Sequence, residues 1–432
     1  MIAISRKSWF IPVLIAVVSF FVFALSPNIT SFDSRWSIPV AESIIRQGNI
    51  NLDEYPELLR ENNYYHILTI RGHQYSYFPV GASLVALPFV WLANQTIPAL
   101  ITHVPQIKTL IQHRSHDPIS SFDVVSLHQP IELAIASLLS ALATMCIFLV
   151  LNQLTKQHAV AIVGAALFAL GTSIWSVVSR GLWQHTPGIF ISALLLWLLV
   201  KPKKSLWTFI GLGTVLGFSY VVRPTYSIMI VALLAYIWFE FRRFFWPTLA
   251  ATAAILIVFV LSNLQTYHAL LPPYYAASRL VIGRHFLIAL LGNLVSPARG
   301  LFIFSPWLLL GFRRIYQGKL SPLEKTAGII IVAHWLIISM QEYWWGGHTF
   351  GPRYMSDVLP YCMILVAPVL AEVFRFRKKV YLITFCILAL FSIMIHFRGA
   401  TDWATYQWNT QPNNVDQRPE RIWDWHDLQF FR

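Results

Sequence analysis

Six short stretches of this sequence combine side chains able to act on an anionic or hydroxyl-bearing ligand. Asp33, in Thr30-Ser31-Phe32-Asp33-Ser34-Arg35, lies just past an apolar run. A carboxylate fixed at that level can take a hydroxyl proton as a general base. An ordinary loop acid, or a cap for a helix starting near Ile38, would look the same. Tyr75-Ser76-Tyr77-Phe78-Pro79-Val80-Gly81 opens a proline-interrupted apolar segment, with Tyr77 suited to anchoring at an interface. Gly171-Thr172-Ser173 is followed by Arg180-Gly181-Leu182-Trp183-Gln184-His185-Thr186-Pro187, a turn that aims Arg180 and His185 at the loop holding Asp33. His185 could bind substrate, donate a proton or ligate a metal, or serve packing alone.

Three further stretches are rich in arginine. Arg223-Pro224-Thr225 stands at a helix turn, where Arg223 either snorkels to the interface or holds a phosphate. Arg299, in Ser296-Pro297-Ala298-Arg299-Gly300-Leu301-Phe302, sits at the mouth of an apolar run. The stretch from Glu342 to Tyr354 puts Trp344, Trp345, three glycines, His348 and Arg353 into one short loop. Glycine lets backbone approach a ligand, aromatic rings stack on sugar or prenyl groups, and Arg353 can hold an anion. Of the six, this loop is the most specific signal.

The elements that must position these residues are apolar and long. Of 432 residues, 56% are hydrophobic and 12% charged, against roughly a quarter charged in soluble domains. A membrane span needs roughly 20 apolar residues, and such runs fall near 8–26, 130–151, 159–178, 185–200, 206–222, 225–240, 245–264, 300–312, 326–341, 357–374 and 379–396. The fold class expected is an all-α polytopic membrane protein of about 11 transmembrane helices. The first run follows Arg6-Lys7, and Ser26-Pro27 places proline where a signal peptidase would cut, so it is expected to be a retained span.

Charge sets the expected sidedness. Lys201/Lys203/Lys204, Arg242-Arg243, Arg313-Arg314 and Arg375/Arg377/Lys378/Lys379 mark cytoplasmic turns. These inner stretches hold 16 Lys and Arg with 3 acids and account for the whole net charge of +13, so nucleic acid need not be invoked. The N-terminus is then cytoplasmic and the C-terminus extracytoplasmic. Parity requires 78–101 to be re-entrant or interfacial within a first outer loop, 27–129. Other outer regions are 265–299, 343–355 and a Trp-rich tail, 398–432, suited to an interfacial lid. Residues 1–432 read as a single membrane domain. Fifteen of 22 arginines fall outside and nine of ten lysines inside. That bias suits a bidentate grip on phosphate or carboxylate, although simple exclusion of lysine from the outer face would also produce it. No GxxxxGK loop and no Cys/His metal spacing occurs.

With these motifs in place, the chain resembles the GT-C superfamily of membrane glycosyltransferases, in particular the bacterial branch related to protein mannosyltransferases and aminoarabinose transferases. The matching residues are Asp33, Tyr77 to Gly81, Gly171-Thr172 with Trp183-Gln184-His185, Arg223-Pro224-Thr225, Ser296 to Phe302, Trp344 to Gly347 with Gly351-Pro352-Arg353-Tyr354, and Pro419 to Trp425. The resemblance implies a GT-C-like bundle in the bacterial inner membrane. It implies sugar transfer from a polyprenyl-phosphate carrier to a hydroxyl of a lipid, glycan or protein acceptor. Asp33 would be the base, and Arg353, Arg299 and Arg223, in that order, the phosphate-holding candidates, with His185, His348, Arg180 and Tyr77 lining the site. Mannosyltransferases tend to follow the loop Asp with Glu, whereas Ser34 stands here, and many relatives carry an acid where this chain has His185. Both departures leave the sugar, and any divalent metal, open.

Two other classes compete. A transporter or lipid flippase would place ionisable groups at mid-depth; His334 is the one obvious candidate there, while the other charges gather at the membrane faces, which argues against transport. A non-catalytic protein of the same fold would bind carrier lipid without using Asp33 as a base.

Overall fold

The computed structural model describes residues 9–30, 32–104, 123–277, 285–376 and 379–432, with 106, 109, 280 and 282. Arg6-Lys7, Arg377, Lys378 and most of the 102–129 loop lie outside the described residues. The protein is an all-α polytopic membrane protein. Among the described residues, seven helices are long and apolar enough to cross a bilayer, and five shorter apolar helices accompany them.

The centre of the bundle is a helix of 28 residues, α4 (His128–Thr155). It packs along α1 (Phe10–Leu25), α5 (His158–Leu170) and α6 (His185–Val200). Ala141, Ala143 and Ala161 are fully buried where these helices meet; small side chains let helix backbones close up where lipid offers no hydrophobic drive. A second tight pair joins α7 (Leu206–Val222) to α9 (Phe245–Tyr267), with α8 (Ser227–Glu240) between them in sequence. A Cβ at Gly213 would stand 2.3 Å from the Thr248 carbonyl oxygen, and one at Gly217 would stand 2.7 Å from that of Thr252. The Thr252 hydroxyl donates back to the Gly213 carbonyl at 3.0 Å.

The expected span at 300–312 is broken. Pro306 lacks an N–H for the helical ladder, so a short helix, Leu301–Phe304, gives way to a 3-10 turn, Pro306–Leu309, and then to Leu310–Tyr316. Segment 78–101, expected to be re-entrant or interfacial, contains most of α3 (Gly81–His103), one unbroken helix through Pro88 and Pro98 that does not double back. It pairs with α2 (Ser37–Gln47), where Glu42 accepts from the Asn94 side-chain amide at 2.6 Å.

Between α2 and α3 lies a hairpin that the periodicity analysis missed. Ile67–Ile70 pairs antiparallel with His73–Ser76, Ile67 opposite Ser76. Arg71 and Gly72 both have positive φ, the conformation that a two-residue hairpin turn requires.

The remaining helices of ten residues or more among the described residues are α10 (Phe286–Val295), α11 (Pro322–Ser339), α12 (Leu359–Phe376) and α13 (Lys379–Thr401). The tail after α13 is folded into the body. Trp408 is 1% exposed and packs with Trp344, Trp345, Val415 and Ile422, leaving Trp425 as its exposed tryptophan.

Candidate functional site

Asp33 lies in the turn between α1 and α2, its side chain about one quarter exposed. Two partners hold it. Tyr65 donates its hydroxyl to Oδ1 at 2.8 Å, and Arg353 donates to Oδ2 at 2.5 Å. Tyr65 is placed from both sides: its carbonyl accepts the Trp36 indole N–H at 2.8 Å, and the hairpin starts two residues later. Burial alone would raise the Asp33 carboxyl. The charge and hydrogen bond of Arg353, the Tyr65 hydroxyl and nearby His66 outweigh it and hold the group below the usual carboxylate range. Tyr65 is pushed upward, by burial first and by the Asp33 charge second.

Arg353 is built into its loop. Its guanidinium carbon lies 3.7 Å from the centroid of the Trp183 ring, a cation–π contact worth about 0.5–2 kcal/mol. A second nitrogen donates to the Gly346 carbonyl at 3.2 Å. Gly346 has φ +77°, a backbone that only glycine adopts without strain. The glycines were expected to let backbone approach a ligand; what Gly346 brings close is its own carbonyl, onto Arg353. Gly351, at φ +64°, fits against Phe304, where a Cβ would stand 2.7 Å from the ring.

Immediately past Arg353, a 3-10 turn (Tyr354–Val358) carries Asp357 into a buried cluster. Oδ1 of Asp357 is 2.9 Å from His185 Nδ1 and accepts the Tyr226 hydroxyl at 3.0 Å, while Oδ2 accepts from Arg223. His334 Nε2 lies 3.7 Å from Asp357 and 3.0 Å from the Tyr354 carbonyl oxygen. Arg223 and His185 thus meet Asp357, not open space. His334 is five residues from the end of α11, roughly 8 Å at 1.5 Å per residue.

The other predicted site residues divide in the same way. Arg299, 1% exposed, gives its donors to the carbonyls of Trp345, Ala298 and Gly347 and to the side chains of Gln429 and Asn409. Arg180 closes the end of α1 by donating to the carbonyls of Phe23, Ser26 and Asn28. His348 faces the tail, 3.0 Å from Asn414 Oδ1. Tyr77 packs against His66 and Tyr274, with ring centroids 5.7 and 5.3 Å away. Among the described residues, no group of three or more His, Cys, Asp or Glu side chains is placed to hold a metal.

Three acids and aromatics were missed by sequence reasoning. Tyr65 gave no signal, because its partner is set by a hairpin turn. Asp357 stands four positions after Arg353, a spacing visible in Gly351-Pro352-Arg353-Tyr354-Met355-Ser356-Asp357. Glu132, in the first turns of α4, is 2% exposed and accepts hydrogen bonds from the Ser34 hydroxyl and, at 3.4 Å, from the Leu182 N–H. Glu132 thus brings a buried acid onto Ser34, next to Asp33 in sequence, from another helix.

No protein-family model matches the chain, and no curated protein matches it. Four solved chains match in structure. One is ArnT from Cupriavidus metallidurans bound to undecaprenyl phosphate, at 12% identity and a TM-score of 0.45. The match covers 84% of this chain and 60% of that one, so this chain spans about three fifths of its length.

Proposed function

We propose that this protein is a glycosyltransferase that moves a sugar from a polyprenyl-phosphate carrier to an acceptor hydroxyl at the extracytoplasmic face of the bacterial inner membrane. The observation that carries this reading is the Asp33–Arg353 pair: an ionised carboxylate and a guanidinium in contact, on loops that converge at one end of an apolar bundle.

Asp33 is the general base. Its carboxylate accepts the acceptor's hydroxyl proton as that oxygen bonds to the anomeric carbon. The bond from that carbon to the phosphate oxygen breaks, its electron pair leaves with the polyprenyl phosphate, and configuration inverts. For Asp33 to act, Arg353 must turn from it toward the leaving phosphate, which strengthens the base as it stabilises the leaving group. Of the three phosphate-holding candidates, Arg353 alone keeps a buried donor, Nε, without an acceptor among the described residues. Arg299 and Arg223 act on the scaffold, one holding the tail and the other the turn that follows Arg353.

A transporter would need ionisable groups free at mid-depth; the one candidate there, His334, lies 3.7 Å from Asp357, in the cluster that also holds Arg223 and His185.

The test is transfer of radiolabelled sugar from a panel of polyprenyl-phosphate sugars, in membranes carrying wild type or Asp33→Asn. Loss of two or more orders of magnitude in the well-inserted variant is expected. Equal rates would move the base elsewhere, and silence across the panel would favour a transporter or a non-catalytic lipid-binding protein.

A further inference from the structure

Arg35 is two residues from Asp33, yet it is engaged quite differently from Arg353. Its guanidinium carbon lies 5.1 Å from the Phe32 ring centroid and 5.8 Å from that of Tyr65. Among the described residues its side chain forms no ion pair, and its buried Nε finds no acceptor. Two other N–H groups nearby share that condition, Nε of Arg353 and Nε1 of Trp183, the indole on which Arg353 is stacked. A buried donor left without an acceptor costs about 1–3 kcal/mol, and native structures rarely leave one so. Three around one carboxylate call for an acceptor.

A second acid ties the backbones of two of them, Arg35 and Trp183, together. Glu132 Oε2 accepts from the Ser34 hydroxyl and from the Leu182 N–H. Ser34 precedes Arg35 and Leu182 precedes Trp183, so one oxygen of α4 sets the spacing of both donors. Charge points the same way: Asp33 neutralises Arg353, and Arg35 is left as a cation without a counter-ion at hydrogen-bonding distance. The two acids at hand are already engaged, Asp33 by Arg353 and Tyr65, Glu132 by Ser34 and the Leu182 N–H.

We propose that Arg35, Trp183 Nε1 and Arg353 Nε form an oxyanion-binding site beside Asp33 whose ligand is a phosphoryl group, with Glu132 as the positioning residue. A phosphoryl group offers several strong acceptor oxygens, and guanidinium binds it with charge-assisted hydrogen bonds. The assignment deepens the transferase reading by naming which donors meet the carrier's phosphate, but the site requires no sugar transfer to exist.

Binding is measured by calorimetry on the purified full chain in detergent, with farnesyl phosphate, farnesol and inorganic phosphate as probes. Farnesyl phosphate is expected to bind at least tenfold more tightly than farnesol. Arg35→Gln should weaken farnesyl phosphate at least tenfold and leave farnesol unchanged. Trp183→Phe, which keeps a ring under Arg353 but removes the N–H, should weaken it about five- to tenfold. If Arg35→Gln does not fold, Arg35→Lys serves: loss of the planar fork should still weaken binding several-fold. Glu132→Gln should lower affinity for farnesyl phosphate alone, whereas a merely structural role would lower both lipids together. Competition by inorganic phosphate would make the ligand a free phosphate as well as a lipid headgroup; its absence would restrict it to the headgroup. Farnesyl phosphate binding within twofold of wild type in the Arg35 and Trp183 variants would overturn the proposal, as would equal binding of farnesol and farnesyl phosphate by wild type. Arg35-dependent binding without sugar transfer would keep this site and remove the transferase reading.

Discussion

Arg353 donates to Asp33 at 2.5 Å across a separation of 320 residues, and the contact restrains the very carboxylate proposed to act as base. Arg353 keeps Asp33 ionised despite burial, while withholding one of its oxygens.

A pH prediction follows from that balance. The folded carboxyl lies below its ordinary value of about 3.9, so the pair's contribution to stability is present above that pH and is lost as pH falls through the lowered value. Arg353→Gln removes the charge that most opposes burial, leaving the Tyr65 hydroxyl and His66 against it. The acid limb of the transfer-rate profile should therefore shift to higher pH, measured as initial rates between pH 4 and 8. An unmoved acid limb would mean that Asp33 does not titrate in the rate.

Asp357 should matter to stability before it matters to chemistry. Asp357→Asn leaves Arg223 buried without its counter-charge, at a cost of about 3–5 kcal/mol, read as a lower unfolding temperature in detergent. Removing both charges, with Arg223→Met added, should recover part of that loss. Additive losses would show that the two side chains do not depend on each other.

The tail depends on Arg299. Arg299→Lys keeps a cation but cannot serve five acceptors in the geometry of a guanidinium. Trypsin should then cleave after Arg421, a site that is 8% exposed in the intact protein. A digestion pattern unchanged from wild type would show that the tail is held by its tryptophans alone.

Helix pairing can be tested far from the site. Gly213→Ala pushes a methyl group into the Thr248 carbonyl and should part α7 from α9, lowering folded yield sharply. Thr252→Val removes a hydroxyl that donates across the pair and should cost only about 0.6 kcal/mol. A well-folded Gly213→Ala protein would refute the close contact.

Much of this architecture was legible because bilayer-length apolar runs are a local property of a chain. Prolines were a poor guide: Pro88 and Pro98 lie inside an unbroken helix and Pro306 breaks an expected one. The helices at 128–155 and 185–200 needed no tertiary information. Asp33 and Arg353 stood out locally, one an acid at the end of an apolar run, the other an arginine in a glycine-rich aromatic loop, and the fold brings the two into contact. Which arginines were free was not legible. Arg223, Arg299 and Arg353 look alike locally, and only the partners brought by distant elements separate them: Asp357 for the first, Gln429 and Asn409 for the second, Asp33 for the third. Arg35 was overlooked because its distinguishing property is the lack of a partner, which no pattern of residue types displays. The 67–76 hairpin went unseen because two four-residue strands are too short to show an alternation of their own.

Arg299 and its socket also set an order of events during synthesis. The arginine emerges from the ribosome 130 residues ahead of Gln429, when α11, α12 and α13 have yet to be made. Until they and the tail arrive, a cation destined for a dry interior must stay hydrated at the membrane surface. Closure of the tail over Arg299 therefore completes the fold late, after the bundle around it has been inserted.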